Sequence, residues 1–320
     1  MLPLHHAVQD DFTAVNQRII DQLHSDVGLV ENIGHYLVEA GGKRLRPLMV
    51  LLSANALGNT NPQRLDLAVI IEFIHTATLL HDDVVDMSNL RRGRPTANAK
   101  WGNAPSVLVG DFLYSRAFQM MVAIGNMEIM AILSDATNLI SEGEVQQLAN
   151  AKNPELDEAG YLQVIDKKTA VLFAAACEVA AVLSGATETQ RRALKAYGHH
   201  VGMAFQLVDD ALDYTGDAAT LGKNVGDDLA EGKPTLPLIH AMAHGTPAQA
   251  ELIAQAIRTG DASQLAAILT VVQETGGITY TLERAKIEVA AALAQLETLP
   301  ASSYSNAMAE VARFALDRTY

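Results

Sequence analysis

The sequence predicts an all-α protein, a single large helical bundle spanning residues 1–320 around a central cavity. Three observations carry that expectation. The chain is 49% hydrophobic but only 5% aromatic, and its richness in Ala and Leu favours helices over strands. Its ten prolines leave long tracts free of helix breakers, the longest between Pro154 and Pro234. No stretch alternates apolar and polar residues long enough to argue for a sheet, and no Ser/Gly-rich linker divides the chain.

The elements follow in order. A first long helix begins at the Asn61-Pro62 pair, a cap followed by proline, and runs through Asp86. Leu67, Ile70 or Ile71, Ile74 and Ala77 recur at three- and four-residue steps and give it a core-facing stripe. At 1.5 Å per residue it is about 37 Å long. Lys167-Lys168-Thr169 opens an apolar helix. A second long helix runs from about residue 190 to 214, with Val201, Phe205, Val208 and Leu212 toward the core and Gly216 as its terminator. Residues 214–237 then carry Gly216, Gly222, Gly226 and Gly232. A connection this long inside a compact domain is usually functional or mobile, and part of it could form a short helix.

Composition also excludes. The single cysteine, Cys177, cannot form an internal disulfide, so the fold demands no oxidising compartment. A net charge of −14 speaks against a nucleic-acid partner, and any anionic ligand must be held by local cations or by metal. The opening Met-Leu-Pro-Leu-His-His has no signal-peptide pattern, and the most apolar stretch, 170–185, is interrupted by Glu178 and too short to span a bilayer. A cytoplasmic protein is expected.

Both long helices end in carboxylates. Asp82 and Asp86 are four residues apart and share a helix face with His75 and Thr78 or Leu79; Gln206, Asp209 or Asp210, and Asp213 share another. Two carboxylates about 5.5 Å apart repel by roughly 3 kcal/mol at an effective dielectric of 20. The negative end of the helix macrodipole adds to that cost. One such cluster could be a solvated helix end. Two, 127 positions apart (82 to 209) in dissimilar surroundings, call for a cation, and oxygen-only donors suit Mg²⁺. Mg²⁺ completes its shell with water and phosphate. Basic clusters of the kind that bind phosphate accompany the acids: Gly41-Gly42-Lys43-Arg44-Leu45-Arg46-Pro47, Leu90-Arg91-Arg92-Gly93-Arg94-Pro95, Lys167-Lys168, and Lys223 with Lys233. Such densities usually belong to solvated surface, but this chain has only 23 cations in all.

With these blocks in place the sequence resembles the trans-prenyl diphosphate synthases of the isoprenoid synthase fold, and within them the bacterial branch that makes octaprenyl diphosphate for quinone side chains. The resemblance covers nearly the whole chain, through GGKRLRP, LLHDDVVDMSNLRRGRPT, GDFLYSRAFQ, KTA, FQLVDDALDY and GKNVGDDLAEGKPTLP in order. It implies that Asp82, Asp86 and Asp209 ligate Mg²⁺, three ions in all, with Asp83, Asp210 and Asp213 in support. It also implies that Lys43, Arg46, His75 and Arg92 hold isopentenyl diphosphate. Arg91, Lys168, Thr169, Gln206, Lys223 and Lys233 match positions around the allylic diphosphate and its reacting carbon. Met87 stands where many relatives carry an acid, outside the ligand positions. The implied chemistry is ionisation, condensation and elimination, without a protein nucleophile. A homodimer and transient membrane contact during release of a long lipid are further implications.

Product length becomes a packing question. Ala77 and Thr78, one turn before Asp82, are small where short-chain relatives place an aromatic block, so an open tunnel toward a floor at Phe118, Met121 or Val122 is expected. Helical Met and Phe are more often plain core. Competing readings explain less. A shorter-chain, geranylgeranyl-length synthase is the alternative that the small Ala77 and Thr78 disfavour. A class I terpene cyclase would not need Lys43, Arg46 and Arg92. A phosphohydrolase built on His81-Asp82 leaves the second cluster unused, and Glu72-Phe73-Ile74-His75 has no second copy to make a di-iron site. A non-enzymatic helical module leaves both charge clusters without purpose.

Overall fold

Almost every described residue lies in or between helices. The computed structural model describes residues 3–39, 41–215 and 225–318. In chain order the helices are α1 (Gln9–Gln22), α2 (Gly28–Glu39), α3 (Leu45–Ala56), α4 (Gln63–Val85), α5 (Ala97–Trp101), α6 (Asn103–Ile124), α7 (Met127–Asn150), α8 (Glu158–Ile165), α9 (Val171–Leu183) and α10 (Glu188–Thr215). After these come α11 (Asp227–Ala230), α12 (Leu236–His244), α13 (Pro247–Thr259), α14 (Leu265–Glu274), α15 (Gly277–Gln295) and α16 (Ser303–Asp317). The all-α prediction holds. One feature escaped it: LRRGRP folds into a two-residue antiparallel pair, β1 (Leu90–Arg91) against β2 (Arg94–Pro95). A strand that short has no periodicity to read.

The chain sorts into two compact units, each assembled from three separated stretches. The first comprises Met1–Thr137, Leu172–Gly198 and Leu293–Val311. Its centre is α4, which packs against α1, α3 and α6. The predicted stripe of Leu67, Ile70, Ile71, Ile74 and Ala77 is wholly buried. At about 2 kcal/mol per large side chain, that burial outweighs the carboxylate repulsion at the helix end. The start lies slightly later than expected: the Asn61 side chain accepts from the Gln63 amide at 3.0 Å, and the helix begins at Gln63. Its C-cap is Asp86. Among the described residues one helix, α6, is long and apolar enough to cross a membrane by length and composition, with a mean hydropathy of 1.3. The sequence reading, drawn to 170–185, passed it over.

The second unit comprises Asn138–Val171, His199–Ala292 and Ala312–Tyr320. One of its clusters gathers Tyr161, Ile165, Ala170, Met203, Leu207, Val208, Leu236 and Ala285; another joins Tyr214 and Leu229 to α12, α13 and α14. Helix α10 extends beyond its predicted limits at both ends. Val201 and Val208 are buried as expected, but Phe205 and Leu212 are only half-buried, and Ala204, Leu207 and Ala211 share the core. The helix is therefore packed on more than one side. Lys167-Lys168-Thr169 does not open a helix. It lies in a π-helical segment, Asp166–Ala170, between α8 and α9, an arrangement frequent at functional sites. Of the glycine-bearing stretch, α11 supplies the short helix, while Gly216, Gly222 and Lys223 lie outside the described residues.

Candidate active site

In the first unit the site is built on the C-terminal half of α4. Asp82 and Asp86 stand half-buried on its last turn and just beyond it. Asp83, buried on another face, accepts from Arg91 Nε and Nη2 at 2.9 and 2.6 Å. Burial pushes the Asp83 carboxyl upward while Arg91 pulls it back. Next to this pair a cavity partly open to solvent is lined by Arg44, Glu72, His75, Asp83, Arg91, Arg92 and Arg94. Ile19, Leu23, Phe73, Leu79 and Leu113 form the apolar remainder.

Turn geometry, at the cap of α3 and in the two-residue Arg92-Gly93 loop between β1 and β2, sets the backbone of two of these cations. Arg44 and Arg92 adopt φ of 45° and 53°, in the left-handed region that costs a residue with a side chain of order 1 kcal/mol. Arg92 donates to the Gly41 carbonyl, and a Cβ at Gly42 would fall 2.5 Å from the Arg92 guanidinium. The glycine pair therefore lets the arginine lie against the main chain. Arg46 Nη1 stands 3.2 Å from His75 Nε2, and its guanidinium lies 4.2 Å above the Phe173 ring. Burial pushes the Arg46 pKa down to about 10, with Glu72 opposing and Arg92 adding. Burial, then Arg46, Arg92 and Arg91, hold His75 well below the usual imidazole value, so its neutral ring can accept from Arg46. Lys43 is half-buried, and its carbonyl lies 3.2 Å from His5 Nε2.

Glu72 lies among Arg44, Arg46 and Arg92, with Arg44 Nε 4.0 Å away. Its Oε2 is buried without a hydrogen-bond partner. Burial raises its pKa and the three arginines oppose the rise. Sequence reasoning weighed Glu72 only as half of an iron motif. Its three-residue spacing from His75 was the available signal.

In the second unit the π segment presents Lys168 and Thr169. Gly143 of α7 makes room for it, since a Cβ there would sit 2.8 Å from the Lys168 amide nitrogen. Lys168 pairs with Glu144 at 2.6 Å. Thr169 Oγ1 donates to Gln206 Oε1 at 2.9 Å, and Gln206 Nε2 donates to Asp210 Oδ1 at 2.8 Å. Tyr161 donates to the other Asp210 oxygen at 2.5 Å. Burial and the charge of Asp228 push Asp210 well above the usual carboxylate range, against the pull of the Tyr161 and Gln206 hydrogen bonds. Asp209 is approached by Arg318 at 3.3 Å; that guanidinium also stacks 3.7 Å above Phe205 and donates to the Phe205 carbonyl. Asp213 is wholly buried, and its Oδ2 accepts from the Asp228 amide at 3.2 Å, tying the first turn of α11 to α10. Lys233 is half-buried and pairs with Glu231. Nothing local in the sequence marks Tyr161, Gly143 or Arg318, because each acts on residues distant in the chain.

The chain-length positions divide. Ala77 and Met121 are wholly buried, and Thr78 is half-buried with its hydroxyl donating to the His75 carbonyl at 2.7 Å. Val122 is 68% exposed, which removes it as a tunnel floor; it lies on the outer side of α6. Along α4 the cavity touches Glu72, Phe73, His75, Thr76, Leu79 and Asp83, and its lining does not include Ala77 or Thr78.

Among the described residues no three His, Cys, Asp or Glu side chains converge into a ready metal cage. Asp82 and Asp86 offer oxygen donors only, near a helix C-terminus where cations are favoured, which fits a Mg²⁺ ion that keeps water and phosphate in its shell.

A family model described as Polyprenyl synthetase matches residues 27–274. The octaprenyl diphosphate synthase of Haemophilus influenzae is 51% identical over 97% of this chain and 94% of its own. The all-trans-nonaprenyl-diphosphate synthase (geranyl-diphosphate specific) of Rhodobacter capsulatus is also 51% identical, over 97% and 96%. A polyprenyl synthase from Caulobacter crescentus CB15, solved in complex with calcium and isoprenyl diphosphate, superposes with a TM-score of 0.96 at 45% identity, covering 99% of this chain and 97% of the other.

Proposed function

Because the chain belongs to the polyprenyl synthetase family, we propose that it makes octaprenyl diphosphate for a quinone side chain, adding isopentenyl diphosphate head to tail onto farnesyl diphosphate. It is a trans-prenyltransferase, and isoprenyl diphosphates are its substrates. The observation that carries the site assignment is that Arg44, His75, Arg91 and Arg92 all line one cavity beside the helix that ends in Asp82 and Asp86.

In this reading Lys43, Arg46, His75 and Arg92 bind the isopentenyl diphosphate, while Arg91, Lys168, Lys223 and Lys233 hold the allylic one. Asp82 and Asp86, with Asp209, hold Mg²⁺, three ions in all, supported by Asp83, Asp210 and Asp213. Bound metal supplies positive charge to the departing diphosphate. The Lys168 carbonyl and the oxygens of Thr169 and Gln206 stabilise the allylic cation until the isopentenyl double bond attacks it. The proton lost in the last step goes to the released diphosphate. Residues 1–320 work as one synthase domain, which is supported by the interleaving of both units along the chain. The enzyme acts as a cytoplasmic homodimer and touches the membrane when its lipid leaves. Exposed Leu108, Val122 and Met127 support an apolar contact surface.

A nine-unit product from a geranyl primer is the second reading, favoured by the equal identity of the Rhodobacter relative. Incubation with Mg²⁺, isopentenyl diphosphate and either primer, followed by product chromatography, decides between them. A C40 product from farnesyl diphosphate is expected. A C45 product from geranyl diphosphate selects the second reading, a C20 product defeats both, and a cyclised hydrocarbon defeats the synthase assignment.

A further inference from the structure

Four side chains of the second unit form an unbroken hydrogen-bonded series with defined direction. Tyr161, 3% exposed on α8, donates to Asp210 Oδ2, and Gln206 Nε2 donates to Asp210 Oδ1. Thr169 donates its hydroxyl hydrogen to Gln206 Oε1. An amide has one oxygen end and one nitrogen end, and which end faces a neighbour is fixed by that neighbour's hydrogen-bonding needs. Here Asp210 takes the nitrogen end of Gln206, so the oxygen end faces Thr169. The Thr169 hydrogen is thereby committed to Gln206, and its remaining oxygen lone pairs are left for other partners. Reversal of the amide would present N–H hydrogens at Thr169 instead.

We propose that Tyr161 is a positioning residue for the prenyl transfer: by holding Asp210 it fixes the orientation of the Gln206 amide and keeps oxygen atoms, not N–H groups, available beside the reacting carbon. The proposal rests on the functional reading above, in which Thr169 and Gln206 meet an allylic cation. For a cation, an oxygen attracts and an N–H hydrogen repels, so amide direction acts on the transition state more than on substrate binding. Tyr161 touches neither substrate in this scheme. Its ring lies in the cluster with Ile165, Ala170, Met203, Leu207 and Val208, which fixes where its hydroxyl points.

The test combines Tyr161→Phe with Gln206→Leu. Tyr161→Phe is expected to lower kcat about tenfold while both KM values stay within about twofold. In the double variant it is expected to add nothing to the loss caused by Gln206→Leu, because residues acting through one network are not additive. Losses that multiply, or a change confined to KM, would overturn the proposal, since a purely structural tyrosine would behave that way. A second measurement needs no turnover and no folded variant of Tyr161. In the wild-type chain labelled with ¹⁵N-glutamine, one side-chain NH₂ signal, identified by its loss in Gln206→Leu, should exchange with solvent at least tenfold more slowly than free glutamine. Free exchange of that signal would sink the proposal. A wild-type chain with no transferase activity but a protected Gln206 amide would overturn the functional reading instead.

Discussion

Glu72 shows how a buried charge can serve a binding site. Arg44, Arg46 and Arg92 repel each other, and Glu72 is the carboxylate whose charge acts on all three. Removing the Glu72 charge at constant volume should release them. Glu72→Gln is therefore expected to raise the KM for isopentenyl diphosphate about tenfold, with the KM for the allylic substrate unmoved; steady-state kinetics with each substrate varied in turn checks this. His75 gives a second outcome, in pH. Its folded-state pKa lies below the ordinary 6.5, so the unfolded chain takes up the proton first and stability falls as the pH drops below 6.5. His75→Gln should lose less melting temperature than the wild type between pH 7.5 and 5.5. Residues of this kind were half legible in the sequence. The GGKRLRP and LRRGRP cations stood out as local clusters, whereas the Glu72 counter-charge depends on how α3 and α4 lie together.

Helix α4 was read almost to the residue, because a buried stripe and an i,i+4 acidic pair are local patterns. The π segment was not, because the extra residue it accommodates is fixed by close approach to Gly143 and by the Lys168–Glu144 pair. Gly143→Ala would force a Cβ against the Lys168 backbone. It is expected to cost about 1–3 kcal/mol in denaturant melts and to lower turnover by displacing Lys168 and Thr169. On α4, packing also refines the chain-length expectation. Ala77 is wholly enclosed, so Ala77→Phe overfills the core and should lower the melting temperature. Thr78 is only half-buried, so a larger side chain there disturbs the core less, and Thr78→Phe is the variant expected to shorten the product, as read by chromatography.

Across the whole chain, the sequence shows the order of the helices but not their grouping into units. Tyr161 reaches Asp210 across 49 positions and Arg318 reaches Asp209 across 109, and no local pattern encodes closures of that span. The grouping itself has a consequence for synthesis. The first unit draws on Leu293–Val311 and the second on Ala312–Tyr320, so each is completed by residues made long after its earliest stretch. Tyr197, wholly buried, donates to the Met308 carbonyl, 2.8 Å away. Chains stopped after residue 292 should accordingly be digested by protease throughout, leaving no resistant fragment, while the full chain yields a protected band. During translation, then, the Tyr197 hydroxyl goes without its acceptor until residue 308 has been made, an interval in which a nascent-chain chaperone would act.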